Sequence, residues 1–127
     1  MISTDLLDKL NILYDRVPYS ITRVVSTYAH NKAVGGSDHS WHLDLSTDFK
    51  YARPCGAADL VFDTAELAQK AVRECQLIGF GGIEWDMTNN HLHVDIRPVE
   101  HKWWIMKTDV GEQPLPTLGT YSVDPHV

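Results

Sequence analysis

A row of ionisable side chains alternates with apolar ones near the end of the chain, in the stretch HLHVDIR at residues 91–97. In a β-strand, successive side chains point to opposite faces, so one face would be polar and the other apolar. The polar face would hold His91, His93, Asp95 and Arg97. Two imidazoles two positions apart on a rigid strand are typical of a metal site or an acid–base site.

The residues just before this stretch extend the polar face. We predict a β-hairpin with strands at residues 82–86 and 91–97 and a turn at 87–90. This register places Asp86 opposite His91 and Glu84 opposite His93. Facing residues have Cβ atoms about 5 Å apart, and burying so many ionisable groups without partners is costly. A bound cation or an open, water-filled cleft would remove that cost.

A catalytic zinc ion commonly takes three protein ligands from His and Asp or Glu and keeps one position for water. His93 is the first candidate ligand. Asp59 is the second, because it interrupts an otherwise apolar strand at residues 56–62. The third would come from the loop that holds His39 and His42, and the residues alone leave that choice open. Two neutral imidazoles and one carboxylate would leave a zinc site net positive, which lowers the pKa of a bound water toward ~7.

The rest of the chain must position these groups, and its pattern predicts an α+β fold with a small, mostly antiparallel sheet and flanking helices. The predicted elements are a helix over residues 3–16, a strand over 20–28, a long loop over 29–56, a strand over 57–62 and a helix capped by Asp63 that ends at Gly79. Residues 1–107 are expected to form the domain. Residues 108–127, which hold three prolines and two glycines, are expected to be an irregular C-terminal tail.

Composition excludes several classes of function. The 127-residue chain has a net charge of −6, which argues against a general nucleic-acid binder. No apolar run approaches the ~20 residues that span a bilayer, so we expect no membrane insertion. The first residues carry acids where a secretory signal would carry basic residues, so we expect cytoplasmic synthesis without a signal peptide. The two cysteines fit a reduced compartment. As a separate expectation, the protein should be a monomer.

Two segments resemble the M15 family of zinc peptidases: NKAVGGSDHSWH at residues 31–42 and CGAAD at residues 55–59. That family contains D-Ala-D-Ala carboxypeptidases and related peptidoglycan peptidases, including phage endolysins. Its pattern is roughly N-x-A-V-G-G, then S-x-H-x-x-G-x-A-x-D, then a later H-x-H on a strand. Ser40-Trp41-His42 matches the S-x-H element, GAAD matches G-x-A-x-D with one residue fewer, and His91-Leu92-His93 matches the last element, which also occurs in hedgehog domains. The resemblance covers about residues 4–98 and implies a hedgehog/DD-peptidase-like fold.

The resemblance also implies roles for individual residues. His42, Asp59 and His93 would be ligands of one Zn²⁺ ion, and the Ala-Val-Gly-Gly spacing favours His42 over His39. His91 would lie beside the metal and stabilise the transition-state oxyanion or help to transfer a proton.

The general base in the family is an acid shortly before the last histidine. Here the position three residues before His93 holds Asn90. Asp86 is therefore our first candidate base, because the register places it opposite His91, and Glu84 is the second.

Two further departures from the family pattern bear on the substrate. Residues 43–54 are inserted between the first histidine and the aspartate, so they must loop out and leave both ligands in reach. The longer loop costs little extra free energy, because the free energy of loop closure grows only logarithmically with loop length. The position of an arginine that binds the substrate carboxylate in many members holds Ala29. This favours an endopeptidase over a carboxypeptidase, although Arg53 or Arg97 could substitute. Ser40 and Trp41 are expected to line the cleft.

We therefore predict a zinc peptidase that hydrolyses peptide bonds of peptidoglycan and acts on the cell wall, as a phage lysis or virion-associated enzyme would. The alternative is a zinc-stabilised module that binds peptidoglycan or protein without catalysis, as hedgehog domains exemplify. Asn90 and Ala29, which replace the usual acid and arginine, motivate that alternative.

Overall fold

The computed structural model describes residues 2–25, 40–45 and 53–118. Within them, two α-helices and a six-stranded sheet form an α+β fold, as predicted. The elements are α1 (Thr4–Arg16), β1 (Ser20–Arg23), β2 (Ala57–Val61), α2 (Ala65–Ile78), β3 (Gly82–Asp86), β4 (His91–Asp95), β5 (Trp103–Thr108) and β6 (Gly111–Pro114). None of the helices in this described part is both long enough and apolar enough to cross a membrane.

Helix α1 lies within the range 3–16 that was predicted for the first helix. Ser3 caps its start, since the Ser3 hydroxyl accepts a hydrogen bond from the backbone N–H of Leu6. Leu6, Leu10 and Leu13 lie on one face and are buried. Burying a leucine side chain contributes about 1.5–3 kcal/mol, so this face holds α1 against the rest of the molecule.

Helix α2 ends at Gly79 as predicted, but Asp63 does not cap it. The cap is Thr64, whose extended backbone directs its hydroxyl to the N–H of Leu67 at 3.1 Å. A capping side chain must reach the second or third N–H of the helix, and Asp63 lies one residue too early. Gly79 has φ +98°, a left-handed conformation that glycine adopts at low cost.

The sheet has the strand order β1-β2-β4-β3-β5-β6. Among the described strands only the β3–β5 pair is parallel, so the sheet is mostly antiparallel, as predicted. The register of the β3–β4 hairpin is also confirmed, with Glu84 opposite His93 and Asp86 opposite His91. The first strand ends at Arg23, next to an irregularity in its pairing with β2, and does not include residues 24–25 of the predicted strand. Residues 26–28 of that prediction lie outside the described part.

The two faces of the sheet differ in chemistry. On one face, residues such as Leu60, Leu92 and Ile83 join the apolar faces of α1 and α2 in a single core. The alternate residues face away from the helices, and in the central row these are Asp59, His93 and Glu84. The helices therefore cover the apolar face and leave the polar face for chemistry.

The segment predicted as an irregular tail begins with a strand. Residues 111–114 form β6, which pairs with β5. Gly111 has φ +111°, which lets the chain reverse direction, and Leu115 then packs into the core. The side-chain amide of Gln76 in α2 holds the next residues, because it donates to the carbonyl of Pro116 and accepts from the N–H of Leu118. Residues 119–127 lie outside the described part.

Candidate metal centre

The turn at residues 40–43 presents His42 to the polar face of the sheet. The Ser40 hydroxyl accepts a hydrogen bond from the His42 N–H, and the Ser40 carbonyl accepts one from the Leu43 N–H. The carbonyl of Trp41 accepts from the N–H of Gly56, just before β2. The turn is therefore attached to the strand that carries Asp59, and His42 is 3 % exposed.

The insertion between His42 and Asp59 leaves and re-enters the fold at one place. Leu45 and Arg53 form an antiparallel bridge with two backbone hydrogen bonds, at 2.7 and 2.9 Å. The predicted looping-out is thus confirmed for the ends of the insertion, whereas residues 46–52 lie outside the described part.

Three potential metal ligands converge on the polar face. Asp59 in β2 and His93 in β4 are direct cross-strand partners. The Asp59 Oδ1 atom lies 3.0 Å from His42 Nε2 and 3.1 Å from His93 Nδ1, and the two nitrogens are 3.3 Å apart. In a tetrahedral zinc site with bonds of about 2.0–2.1 Å, two ligand atoms lie about 3.3 Å apart. These residues therefore form a cluster that could hold a metal ion.

Hydrogen bonds at the far side of each ring determine which nitrogen faces the centre. The Nδ1–H of His42 donates to the carbonyl of Val24 at 2.7 Å, because a carbonyl can only accept. The Nε2–H of His93 donates to the Asp95 carboxylate at 2.8 Å. Both remaining lone pairs point at the same Asp59 oxygen. Three acceptors this close repel one another unless a cation lies among them, and such outer hydrogen bonds are usual for metal-ligating histidines.

The hydrogen bonds of the cluster also shift the pKa values of Asp59 and His93. Burial raises the pKa of Asp59, but when the facing nitrogens of His42 and His93 carry protons, the hydrogen bonds that they donate outweigh burial and hold the pKa well below its usual range. Burial likewise lowers the pKa of His93, yet the hydrogen bonds with Asp59 and Asp95 raise it to about 9. Without a metal, a proton on His93 is thus the cation that the cluster attracts, and a metal must displace it.

The Asp95 carboxylate, which the sequence places on the polar face, is fully buried. Desolvation raises its pKa, but hydrogen bonds from His93 and Arg97 lower it to about 2. Its own strand partner is Gly82, where an added Cβ would overlap both carboxylate oxygens. A residue without a side chain is therefore required opposite Asp95.

The predicted bases lie on the same face but make different contacts. Asp86 accepts hydrogen bonds from the N–H and the hydroxyl of Thr88 and from the side-chain amide of Asn89. These bonds outweigh slight burial and lower the pKa of Asp86. Glu84 is directly opposite His93 and forms an ion pair with Lys107.

The other predicted site residues are distributed around this cluster. His91 is two residues from His93 on the same face and is half-buried. Ser40 and Trp41 shape the turn that holds His42, and Arg97 contacts Asp95. Asn90, which stands where the family has an acid, has φ +52° and closes the hairpin turn, a conformation that asparagine tolerates. Ala29 and His39 lie outside the described part.

Sequence reasoning missed two contributors. The carbonyl of Val24 orients His42, but backbone groups carry no sequence signal. Arg23 is the cross-strand partner of Asp59, and its Nη1 atom lies 4.0 Å from Asp59 Oδ2. Strand alternation could have placed Arg23 on a face, but the irregular pairing beside it hid the register.

Comparison with known proteins gives one result. A family model described as Peptidase M15 matches residues 2–95, which is most of the chain and includes all three residues of the cluster. Neither the curated proteins nor the solved structures gave a match.

Proposed function

Because the chain belongs to the M15 peptidase family, we propose that it is a zinc-dependent peptidase that hydrolyses peptide bonds of peptidoglycan. The observation that carries this proposal is the convergence of His42 Nε2, Asp59 Oδ1 and His93 Nδ1 within 3.0–3.3 Å of one another. Two imidazoles and one carboxylate are a usual ligand set for catalytic zinc, which keeps a fourth position open. When bound, zinc would acidify a coordinated water and polarise the scissile carbonyl.

The protein's own residues would supply the proton transfer. Glu84 is the base that we favour over Asp86, because it is the direct strand partner of His93 and so lies one strand spacing from the cluster. Asp86 is held by three hydrogen bonds in the hairpin turn. For Glu84 to accept a proton from the attacking water, its carboxylate must exchange the Lys107 contact for a hydrogen bond to that water.

The proposed role of His91 is to donate a hydrogen bond to the oxyanion that develops in the transition state. It shares the polar face with His93, two positions away, and is half-buried. A donor that is already in place costs no reorganisation during the reaction.

The proposed substrate is the peptide stem or cross-bridge of peptidoglycan, and the proposed setting is the bacterial cell wall, reached by a phage lysis or virion-associated protein. The resemblance of residues 31–42 and 55–59 to peptidoglycan peptidases supports this choice. Ala29 stands where an arginine would bind a terminal carboxylate, which favours cleavage inside a peptide. We propose that the chain acts as a monomer.

A second candidate is a metal-stabilised binding module without turnover. It is favoured by one observation: both candidate bases are engaged, Asp86 with Thr88 and Asn89 and Glu84 with Lys107. A base that stays in these contacts would not accept a proton from water.

The experiment is a hydrolysis assay with purified full-length protein and insoluble peptidoglycan. Zinc-loaded and chelator-treated samples are compared by the release of new amino groups, and mass spectrometry identifies the products. Free D-alanine would indicate a carboxypeptidase, and new internal termini an endopeptidase. We expect chelator-sensitive release of internal termini, restored by added zinc.

Variants locate the base. We expect E84Q to lower hydrolysis by about 10²–10⁴-fold, the usual contribution of general base catalysis, while zinc content stays the same. The control is E100Q, at an exposed acid after β4. Zinc binding without hydrolysis by the wild-type protein would exclude the peptidase and favour the binding module.

A further inference from the structure

Arg97 is built into the fold through the buried Asp95 carboxylate. Its Nε–H donates to Asp95 Oδ1 at 2.8 Å and its Nη2–H to Oδ2 at 2.6 Å, a two-point contact. The Arg97 backbone N–H also donates to Oδ1. Asp95 Oδ2 in turn accepts from His93 Nε2. One carboxylate therefore connects the guanidinium to a ring of the metal cluster.

The other side of Arg97 meets aromatic rings. The guanidinium carbon lies 4.9 Å from the centre of the Trp103 ring and 6.0 Å from that of Trp41. Both distances are within the range in which a cation is attracted to a ring face. Trp103 also lies edge-on to His93, at 6.0 Å between ring centres.

Trp41 connects this group to the second histidine. It directly precedes His42, and its carbonyl accepts from Gly56 ahead of β2. The guanidinium of Arg53 packs on the same ring at 3.9 Å. The guanidinium that packs on the turn holding His42 is therefore that of Arg53, whereas Arg97 contacts the carboxylate that orients His93.

We propose that Arg97 is a positioning residue for the metal centre: it holds His93 through Asp95, so that the imidazole ring keeps the orientation that metal binding requires. The inference rests on the proposed function only in that it requires a metal at His42, Asp59 and His93. A substrate contact, the role predicted from the sequence, would have to use the N–H groups of Arg97 that Asp95 does not occupy.

The chemistry of the side chain explains why an arginine is needed. A planar guanidinium can bind both oxygens of a carboxylate and lie beside aromatic rings at the same time, whereas a lysine ammonium is a single-point donor. R97K therefore retains the charge but loses the two-point contact with Asp95. Loss of outer partners of metal ligands typically lowers metal affinity about 10–100-fold.

The test measures zinc affinity by competition with a chromogenic chelator, without any substrate. We expect R97A to bind zinc about 10–100-fold more weakly than the wild type, and R97K to fall in the same range. R73A, at an exposed arginine of α2, is the matched control and should bind zinc like the wild type. Circular dichroism checks that each variant folds. If R97A does not fold, the zinc affinity of R97K tests the inference.

A second readout is independent of zinc. In metal-free protein labelled with ¹⁵N, we expect the chemical shifts of the His93 ring nitrogens to change in R97K. The reason is that the Asp95 carboxylate, which accepts from His93, loses its two-point contact with the guanidinium. The chemical shifts of the His101 ring nitrogens should stay the same.

Unchanged zinc affinity in R97K and R97A would overturn the inference, and a raised KM in the same variants would assign Arg97 to the substrate instead. Failure of the proposed function looks different. If R97K weakens zinc binding but the wild-type protein hydrolyses no peptidoglycan, the peptidase function is rejected and the positioning role of Arg97 is supported. If the wild-type protein binds no zinc, both proposals are rejected.

Discussion

The Nε2 atom of His42 lies 3.3 Å from the Nδ1 atom of His93, although 51 positions separate the two histidines in the chain. Each ring already uses its other nitrogen as a donor, His42 to the carbonyl of Val24 and His93 to Asp95. Two lone pairs therefore face one another beside the Asp59 carboxylate. The two lone pairs and the carboxylate repel one another, so a cation bound between them stabilises the arrangement.

Removal of any cluster residue should abolish this arrangement. We expect H42A, D59A and H93A each to lower zinc affinity by more than the roughly 10–100-fold typical of outer partners, as measured by chelator competition. H101A, at an exposed histidine, should bind zinc like the wild type.

The same measurement decides between the two histidines of the first motif. We expect H39A to retain zinc affinity, because His42 already occupies the cluster. Loss of zinc in H39A together with normal binding by H42A would reverse the assignment.

The stability of metal-free protein should fall at alkaline pH. The pKa of His93 is raised to about 9 in the folded chain, above its ordinary value of 6.5, because its hydrogen bonds to Asp59 and Asp95 outweigh burial. A raised folded-state pKa contributes stability that is complete below about pH 6.5 and is lost as the pH rises through about 9. Urea unfolding of metal-free protein across this window measures the effect.

Zinc-loaded protein provides the control for that prediction. A metal on His93 takes the place of the proton, so the loaded protein should lack this loss of stability. Equal pH profiles with and without zinc would contradict the assignment of the titration to His93.

Gly82 should be required for the metal centre rather than for the strand alone. An added Cβ would overlap the Asp95 oxygens, so we expect G82A to destabilise the fold by about 1–3 kcal/mol, as overpacking does, and also to weaken zinc binding. G79A is the control. Its cost is backbone strain of about 1–2 kcal/mol at a left-handed position, with open space around it, and its zinc affinity should be normal. Equal zinc affinity in both variants would contradict the role of Gly82.

The cap of α2 gives a test far from the metal centre. T64A removes the hydroxyl that accepts from Leu67, and we expect a loss of about 0.5–2 kcal/mol in the free energy of unfolding. D63A should change it by less than about 0.5 kcal/mol, as exposed substitutions usually do. A larger loss of unfolding free energy in D63A than in T64A would instead identify Asp63 as the cap.

Much of the polar face was predictable because strand geometry is local. Alternation along residues 91–97 and a four-residue turn are enough to place Glu84 opposite His93, and the structure has that pairing. The α1 and α2 helices were predictable for a similar reason, since their apolar spacing and the Gly79 stop lie within a few residues of each other.

Other features depend on contacts that no local pattern encodes. Strand β6 forms because β5 provides an edge for it and the core accepts Leu115. The short β1 pairs irregularly with β2, and this pairing brings Arg23 beside Asp59.

The types of the chemical groups and their local order are thus properties of the sequence alone. The alternating histidines and the lone aspartate in an apolar strand predict a metal site, and their resemblance to the M15 pattern implies a peptidase. The tertiary structure decided their relation in space, that is, which nitrogen of each ring faces Asp59 and which neighbours hold the ring in place. The reason is that the orientation of a ring depends on its hydrogen-bond partners. The partner of His42 is the carbonyl of Val24, and that of His93 is the buried Asp95 carboxylate, which occupies the space that a side chain at Gly82 would fill.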